Sequence, residues 1–450
     1  MAPLVGDAAG DGDVLVARAT PAGAGALAIV RLTGPAGVTL AVARRVAPRI
    51  PGHPVARRAY LSPFVDEDGG VVDEGLVLWF ESPASSTGEE VVELQAHGSP
   101  AVVEALVSSA VARGARRARP GEFTRRALAN GKIDLLRAEG IGLLAAAASR
   151  GEARRALGLV RGELSGRVTA LREELLEALV ELEARLDFAE DVEDIEGVEG
   201  SREAVVLARI VSCRASLSEL GAATGAGRCG EGAATVVIVG APNAGKSTLF
   251  NALLGEDRAL VTDVAGTTRD AVAEFFEVGG ERVRLVDTAG LRKTTELVER
   301  LGVEAAGRAA AGADLLLSVR DGCGERPSPE DLPAGVPMLL LATKADLPGR
   351  IREGELRVSA RTGEGLSALR EEIGVRLRSV EGSGEFVALP RQREALGRAA
   401  AALDGIGPRT PGEVAAAGIR ESLQALGEIT GETATEELLD RIFSTFCVGK

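Results

Sequence analysis

The stretch VVIVGAPNAGKSTLFNALLG, residues 236–255, decides how this chain folds around its most informative motif. Four apolar residues predict a strand, GxxxxGKS runs from Gly240 to Ser247, and the following residues predict a helix. This is the context that a phosphate-binding P-loop requires. Gly240 and Gly245 let backbone N–H groups surround phosphates, Lys246 reaches the β- and γ-phosphates, and the Ser247 hydroxyl binds Mg²⁺. The alternative is a chance glycine-rich turn.

Four later pieces, in order, indicate a guanine nucleotide. AGTTRD (265–270) has the position of a switch loop whose Thr contacts Mg²⁺, and residues 274–290 predict a hairpin that turns at Gly279-Gly280. This hairpin ends at Asp287, which would hold Mg²⁺ through water. LLLATKAD (339–346) offers the Asp346 carboxylate to the guanine N–H donors, which adenine lacks, and LRVSARTGEG (356–365) offers Ser359 and Ala360 to guanine O6. The predicted GTP contacts are Asn243, Ala244, Gly245, Lys246, Ser247, Thr248, Thr262, Thr267, Thr268, Asp287, Thr288, Ala289, Gly290, Thr343, Lys344, Asp346, Ser359, Ala360 and Arg361. The predicted Mg²⁺ ligands are Ser247 and Thr268.

This region resembles a Ras-superfamily G domain, with two departures. Thr343 stands where the guanine motif usually has Asn, which predicts weaker support of the base and loop. Leu291 stands where Ras-type enzymes carry a water-orienting Gln, so another residue must orient the water.

Composition narrows the class of protein. The 450 residues are 45% hydrophobic and 26% charged, and the four cysteines form no CxxC pair, which fits a reducing cytoplasm rather than a disulfide framework or zinc site. The N-terminus has no basic region typical of a signal peptide, and the apolar runs are too short for a membrane span. A net charge of −14 argues against direct binding of nucleic acid.

The order of strand-like and helical patterns along the chain predicts α/β and α+β domains together with a helical bundle. We expect an N-terminal α+β domain over 1–125, a helical domain over 126–230 and 381–450, and an inserted Ras-like P-loop G domain over 231–380. Thr433 and Glu436 have capping-box spacing and predict the start of the last helix. An apolar stripe at helical spacing predicts bundle packing at Val168, Leu171, Leu175, Leu179, Leu182 and Leu186.

The flanking segments resemble one family, the bacterial and organellar tRNA modification GTPases called MnmE or TrmE. The resemblance rests on residues 19–35, 73–100 and 114–141, which include RPGEFTRRALANGK, and on the terminal FCVGK. SSTGEE (85–90) departs from the family pattern because Ser86 replaces an aromatic residue. The end CVGK makes a poor prenylation address, and the resemblance implies that this tail folds back toward a folate pocket.

Site roles follow from the resemblance. It implies folate binding by Arg31, Glu93, Lys132 and Lys450, and a catalytic K⁺ held by Asn243, Thr262, Val264 and Thr267. It also implies that Glu299 activates water, so the predicted catalytic residues are Glu299, Lys246 and Asn243. Without the resemblance, the residues alone favour surface charges at Arg31 and Lys132 and a helix-surface residue at Glu299, and the alternative for Asn243 is a turn residue. Cys447 has two interpretations, a nucleophile or a small buried core residue.

The resemblance implies a cytoplasmic, homodimeric, GTP-hydrolysing enzyme with no membrane association. With an FAD-dependent partner, MnmG (GidA), in a heterotetramer, it would add a carboxymethylaminomethyl group to C5 of the wobble uridine of certain tRNAs, using a tetrahydrofolate one-carbon donor. Its cofactors would be K⁺ and Mg²⁺, with FAD carried by the partner. The main alternative is a K⁺-dependent GTPase switch in ribosome or RNA assembly, for which a KH or second G module is expected and not seen. A third possibility is a folate-binding regulator.

Overall fold

The computed structural model describes residues 12–187, 199–225, 233–241, 243–255, 273–287, 313–321, 336–347, 352–380, 386–407 and 409–449. The chain forms two compact units. The first comprises Met1–Gly142, Val160–Arg214 and Arg398–Lys450, and the second comprises Leu143–Leu159 and Ala215–Gly397. The second unit therefore contains the P-loop region together with three stretches of the predicted helical domain, 143–159, 215–230 and 381–397.

The described elements alternate between strands and helices along most of the chain. The strands are β1 Val14–Arg18, β2 Gly25–Gly34, β3 Ala59–Val65, β4 Val71–Phe80, β5 Glu90–Gly98, β6 Ala115–Arg117, β7 Thr224–Gly225, β8 Ala234–Gly240, β9 Ala273–Val278, β10 Glu281–Asp287, β11 Leu315–Asp321, β12 Met338–Thr343, β13 Glu355–Arg357 and β14 Phe386–Val387. The helices are α1 Val38–Val46, α2 Pro100–Ala112, α3 Glu122–Ala129, α4 Leu135–Ala146, α5 Arg150–Arg161, α6 Glu163–Asp187, α7 Glu199–Ala223, α8 Lys246–Leu254, α9 Leu366–Val380, α10 Pro390–Ala401, α11 Gly412–Thr430 and α12 Glu436–Ser444.

The first unit contains a six-stranded sheet in the order β3-β4-β5-β2-β1-β6, antiparallel except where β1 pairs with β6. Side chains alternate between its faces. One face carries Val30, Leu94 and Val77 into a core with residues of α1 and α2. Leu27 and Leu61 lie on the other face, are 69% and 57% exposed, and leave an apolar surface open on this chain. The predicted N-terminal α+β texture is confirmed.

The helical part of the first unit buries the predicted stripe. Val168, Leu175, Leu179 and Leu182 of α6 are buried, and α6 packs against α11. Leu171 is half-buried, and the Leu186 side chain lies outside the described part.

The predicted start of the last helix is wrong by two residues. Thr435, not Thr433, is the N-cap of α12, and its hydroxyl accepts a hydrogen bond from the Leu438 amide over 3.3 Å. The Thr433 hydroxyl instead donates to the carbonyl of Gln424 over 3.2 Å. Both threonines offer the same short oxygen, so spacing to Glu436 alone did not identify which backbone position begins the helix.

The second unit contains a sheet in the order β13-β12-β11-β8-β10-β9. Every pair is parallel except β10 with β9, which form the predicted hairpin. Gly279 and Gly280 have φ of 62° and 87°, as a two-residue turn between twisted strands demands. Because β8, β11 and β12 are central and parallel, the loops at their carboxyl ends gather at one edge of the sheet. Within the residues described, no helix is both long and apolar enough to cross a membrane.

Candidate functional site

The P-loop joins β8 to α8 through a backbone that glycine makes possible. A Cβ on Gly240 would lie 2.2 Å from the Val319 carbonyl oxygen of neighbouring β11, so no larger residue fits there. Gly245 is the N-cap of α8 with φ of 87°, and Asn243 is exposed with φ of 63°. The left-handed conformation of Asn243 is typical of a turn residue. A turn residue can still offer its side-chain oxygen as a ligand.

Lys246 and Ser247 begin α8 at the edge of the sheet. The buried Lys246 ammonium donates to the carbonyls of Gly240 over 2.9 Å and Ala241 over 2.7 Å. The Ser247 hydroxyl donates to Oδ2 of Asp287 over 2.7 Å. Hydroxyl and carboxylate oxygens are the ligands that Mg²⁺ accepts, and here they stand beside a helix N-terminus that favours phosphate. The residues present therefore fit a Mg²⁺–nucleotide site.

The predicted guanine site is formed where β12 and β13 end. The Ser359 hydroxyl donates to Oδ1 of Asp346 over 2.8 Å, and this bond holds the pKa of Asp346 below its usual range. The exposed guanidinium of Arg361 lies 4.0 Å from Oδ2 of the same carboxylate. Lys344 has φ of 57°, and its ammonium lies 3.5 Å from Asp321. The structure therefore brings together an ionised carboxylate and the residues predicted to surround the base, including Ala360.

Thr343 retains a link between the guanine motif and the P-loop. Its buried hydroxyl lies 2.6 Å from the Ala244 carbonyl oxygen and 3.0 Å from that of Arg320. The hydroxyl has one proton, so the two carbonyls share it. The expected weakening of loop support is thus offset by a direct contact, even though threonine lacks the reach and second donor of asparagine.

Sequence reasoning missed a buried ion pair beneath this site. Nε of Arg320 donates to Oε1 of Glu355 over 2.6 Å, and Nη2 donates to Oε2. The side chains are only 2% and 0% exposed. The sequence did show a charged residue, Arg320, near the end of the apolar strand LLLSVRD. Nothing in the sequence identified its acidic partner.

The predicted folate residues occupy the first unit. Nε and Nη2 of Arg31 both donate to Oε1 of Glu93, over 3.0 and 2.7 Å. These residues face each other across β2 and β5, on the sheet face that also carries Leu27. Lys132 donates to the Pro83 carbonyl over 2.9 Å, and a Cβ on Gly88 would lie 3.0 Å from the Lys132 side chain. The chemistry of these groups fits a ligand that carries both a donor edge and carboxylates.

The C-terminal tail lies against the same sheet. Val448 forms a β-bridge with Pro120, and the Gly121 amide donates to the Cys447 carbonyl over 3.4 Å. A Cβ on Gly449 would lie 2.1 Å from the Arg18 carbonyl oxygen at the end of β1. The tail thus folds back onto the N-terminal domain, as the resemblance implied. Cys447 is exposed, so its interpretation as a buried core residue is wrong.

Most arginines of the run around 113–126 are paired within the chain, although Arg119 is exposed. Arg116 pairs with Asp13 and Glu122, and Arg126 pairs with Asp13 and Glu89. Burial opposes ionisation of Glu122, but the hydrogen bonds and charge of Arg116 hold its pKa below the usual range. Three other arginines of the run are also engaged: Arg113 with Ser109 and the Asp66 carbonyl, Arg117 with Glu104, and Arg125 with Glu436 and Asp440.

Several predicted residues lie outside the described ranges, and their roles stay predictions. They are Thr262, Val264, Thr267, Thr268, Thr288, Ala289, Gly290, Leu291, Glu299 and Lys450. Thr248 lies on α8 and is exposed.

Comparison with known proteins finds matches to one family in both units of the chain. A family model described as GTP-binding protein TrmE N-terminus matches residues 14–132, and the MnmE helical domain model matches residues 135–447. A protein from Acidiphilium cryptum named tRNA modification GTPase MnmE is 43% identical, over 88% of this chain and 90% of its own. One of the same name from Azoarcus sp. is 41% identical with the same coverage. The solved structure of Era in complex with MgGDPNP and nucleotides 1506–1542 of 16S ribosomal RNA is 26% identical, with a TM-score of 0.26, over 38% of this chain and 66% of that chain. A TM-score of that size carries no conclusion.

Proposed function

Because this chain belongs to the tRNA modification GTPase MnmE family, we propose that it hydrolyses GTP in the course of modifying the wobble uridine of certain tRNAs. The product is a carboxymethylaminomethyl group on C5, made with an FAD-dependent MnmG (GidA) partner in a heterotetramer and a tetrahydrofolate one-carbon donor. One observation supports GTP as the nucleotide: a phosphate site and a base site lie at the same edge of the sheet. Ser247 pairs with Asp287 at the end of the P-loop, and Ser359 holds Asp346 at the carboxyl ends of neighbouring strands.

The nucleotide contacts divide into phosphate and base recognition. The P-loop backbone and Lys246 take the phosphates, and Asp346, whose ionised form the Ser359 hydrogen bond favours, accepts from the guanine N–H groups. Ser247 would hold a Mg²⁺ ion, which would supply positive charge against the phosphate oxygens. Thr268 is the proposed second protein ligand.

The cleavage step needs compensation for charge that develops between the β- and γ-phosphates. Asn243, with Thr262, Val264 and Thr267, would hold a K⁺ ion, which would supply that positive charge in place of an arginine finger. Glu299 orients the attacking water, since Leu291 cannot. Support for the ion comes from Asn243, which lies within the P-loop, has a left-handed backbone and is exposed.

The folate site is proposed at Arg31, Glu93, Lys132 and Lys450. Glu93 accepts from the donor edge of a pterin, and the basic side chains take the carboxylates of the glutamate tail. The docked tail supports this, because Gly449 approaches Arg18, which pairs with Val30 directly before Arg31.

We propose that two copies of the chain associate through the exposed face of the N-terminal sheet. Leu27, Leu61 and Leu76 are 69%, 57% and 40% exposed on that face, and an apolar surface of this kind marks an interaction site. Leu61→Glu is expected to yield monomers in sedimentation velocity runs. Leu176→Glu, at a 44% exposed position on α6, is the matched control and is expected to remain dimeric. A dimeric Leu61→Glu protein would contradict this interface.

The proposed role of the partner also follows from charge. The chain carries a net charge of −14, and most arginines of its most basic run are engaged in ion pairs and hydrogen bonds. The tRNA backbone therefore binds mainly to the partner, while this chain supplies GTP hydrolysis and the folate.

The test is mass spectrometry of tRNA nucleosides from a strain without this gene, with and without its restoration. Loss and return of 5-carboxymethylaminomethyl-type uridines is expected. Unchanged wobble uridines would refute the modification role and leave a K⁺-dependent switch in ribosome or RNA assembly, or a folate-binding regulator. A gene copy with Asp346→Asn shows whether guanine nucleotide binding is required.

A further inference from the structure

The two halves of the proposed base site come from separate strands. Thr343 ends β12 and Lys344 to Asp346 follow it, whereas Ser359 and Ala360 come shortly after β13. β13 is a three-residue strand at the edge of the sheet, paired to β12 at only three positions. Such a short edge strand has few ladder hydrogen bonds to fix it. The two halves also meet directly, because Ser359 donates to Asp346 and the Ala345 amide donates to the Val358 carbonyl over 3.2 Å. These few bonds leave room for further contacts to set the geometry.

The buried pair of Arg320 and Glu355 supplies such a contact. Arg320 ends the buried part of β11, Ala342 is its partner on β12, and Glu355 lies on β13 opposite Leu340. The Arg320 side chain thus crosses β12 to reach β13, past the small side chain of Ala342. One forked ion pair ties three neighbouring strands together.

The same two residues also touch the site through their backbone and neighbours. The Arg320 carbonyl accepts from the Thr343 hydroxyl over 3.0 Å, and that hydroxyl also meets the P-loop at Ala244. On the other side, Oε2 of Glu355 accepts from the Arg352 amide over 2.8 Å, which fixes the turn into β13. The pair therefore connects the P-loop, the Thr343 segment and the Ser359 segment.

Stability alone does not account for this arrangement. A buried ion pair loses hydration on both charges, and apolar residues of similar volume commonly stabilise a fold equally well. A forked ion pair fixes the direction and distance between its two side chains, which apolar packing does not. We propose that Arg320 and Glu355 are positioning residues that set the spacing between Asp346 and the Ser359–Ala360 segment, so that guanine selectivity depends on them. This inference rests on the proposed assignment of the guanine edge to Asp346.

The test is the double variant Arg320→Met with Glu355→Leu, which replaces the pair by apolar side chains. We expect a thermal midpoint close to that of the unchanged protein. We also expect about tenfold weaker GDP binding, and a reduced preference for GDP over IDP, whose base lacks the exocyclic amino group. In GTP hydrolysis, KM rises while kcat at saturation stays similar. ADP, which lacks the matching donors, shows no corresponding change.

Two controls separate the outcomes. Arg376→Met with Glu372→Leu removes an exposed ion pair on α9 and is expected to change none of these values. Asp346→Asn is expected to shift preference from GTP to xanthosine triphosphate. If Asp346→Asn leaves guanine selectivity intact, the proposed base site is wrong. If Asp346→Asn shifts it but the double variant keeps its GDP preference and KM, the positioning role is overturned.

A double variant that does not fold is replaced by Arg320→Lys. Lysine keeps the buried charge paired but lacks the rigid fork, so it preserves charge balance while loosening the geometry. Loss of GDP-over-IDP selectivity in this folded variant supports positioning, and unchanged selectivity overturns it.

Discussion

Replacing Gly449 by alanine isolates the contribution of the C-terminal tail. The backbone at Gly449 has φ of 95°, and a Cβ there would lie 2.1 Å from the Arg18 carbonyl oxygen and 3.2 Å from the Ala19 Cα. Both neighbours are backbone, so no side-chain rotation relieves the contact. The positive φ alone costs an L-residue roughly 1–2 kcal/mol, which is a factor of about 5–30 in the docking equilibrium. The overlap with Arg18 adds to this value.

The assay is hydrogen exchange at the Gly121 amide, which donates to the Cys447 carbonyl when the tail is docked. Its protection is expected to fall by at least that factor of about 5–30 in Gly449→Ala. Gly407→Ala is the matched control, because a Cβ at Gly407 meets nothing within 4 Å. Tetrahydrofolate binding, measured by calorimetry under reducing conditions, is expected to weaken in the same variant, since Lys450 follows directly, while GTP turnover without folate stays unchanged. Equal protection of Gly121 in Gly449→Ala and the unchanged protein would refute the docking argument.

Four further predictions concern single side chains. Asn243→Ala is expected to abolish the stimulation of GTP hydrolysis by K⁺ while nucleotide affinity stays near normal, and stimulation equal to that of the unchanged protein would contradict the ion's proposed position. Asp346→Asn is expected to move selectivity from GTP toward xanthosine triphosphate in competition binding, and retained GTP selectivity would mean that another residue reads guanine. The exposed Cys447 is expected to be alkylated within minutes in the native protein, whereas Cys213 is expected to react only after unfolding. Burial and the neighbouring Glu174 carboxylate raise the pKa of the Cys213 thiol to about 12, which suppresses its reactive thiolate. Mass spectrometry of the alkylated peptides measures both rates, and equal labelling of the two thiols would contradict the prediction. The pKa of Glu122 is lower in the folded protein, so its contribution to stability is present above the pKa of the unfolded chain and is lost as pH falls through the folded pKa. In urea unfolding, Glu122→Gln is expected to lower the free energy of unfolding by about 1–3 kcal/mol at pH 7 and by less at about pH 3. A loss that does not depend on pH would argue against the pairing with Arg116.

The order of the motifs was readable because each depends on local chemistry. GxxxxGKS requires glycines at fixed positions so that its backbone can wrap, and Gly240 does approach Val319 too closely for any side chain. The hairpin at Gly279-Gly280 was equally local, since two consecutive positive φ values select glycine. The cap of α12 shows the limit of such reasoning, because two threonines two residues apart offer equivalent oxygens and only the backbone path chooses Thr435.

Pairings between distant residues were beyond the reach of the sequence. Arg320 and Glu355 lie 35 positions apart and meet only because β12 separates their strands in the sheet. The engagement of Arg116 by Asp13 and Glu122 likewise turned a run that looked basic into an internally paired cluster. Charge counts along a chain record how many groups exist, whereas burial and distance decide which of them neutralise one another.

The sequence by itself determined that this chain carries a P-loop, the ordered guanine nucleotide motifs and the flanks of a tRNA modification GTPase, because these depend on residue types at short spacings. Only the tertiary structure decided that Thr343 still reaches Ala244, that Cys447 is exposed and that Gly449 lies against Arg18. These facts depend on where strands and a folded-back tail place atoms far apart in the chain. Local composition does not specify such distances, since they are set by packing of the whole unit.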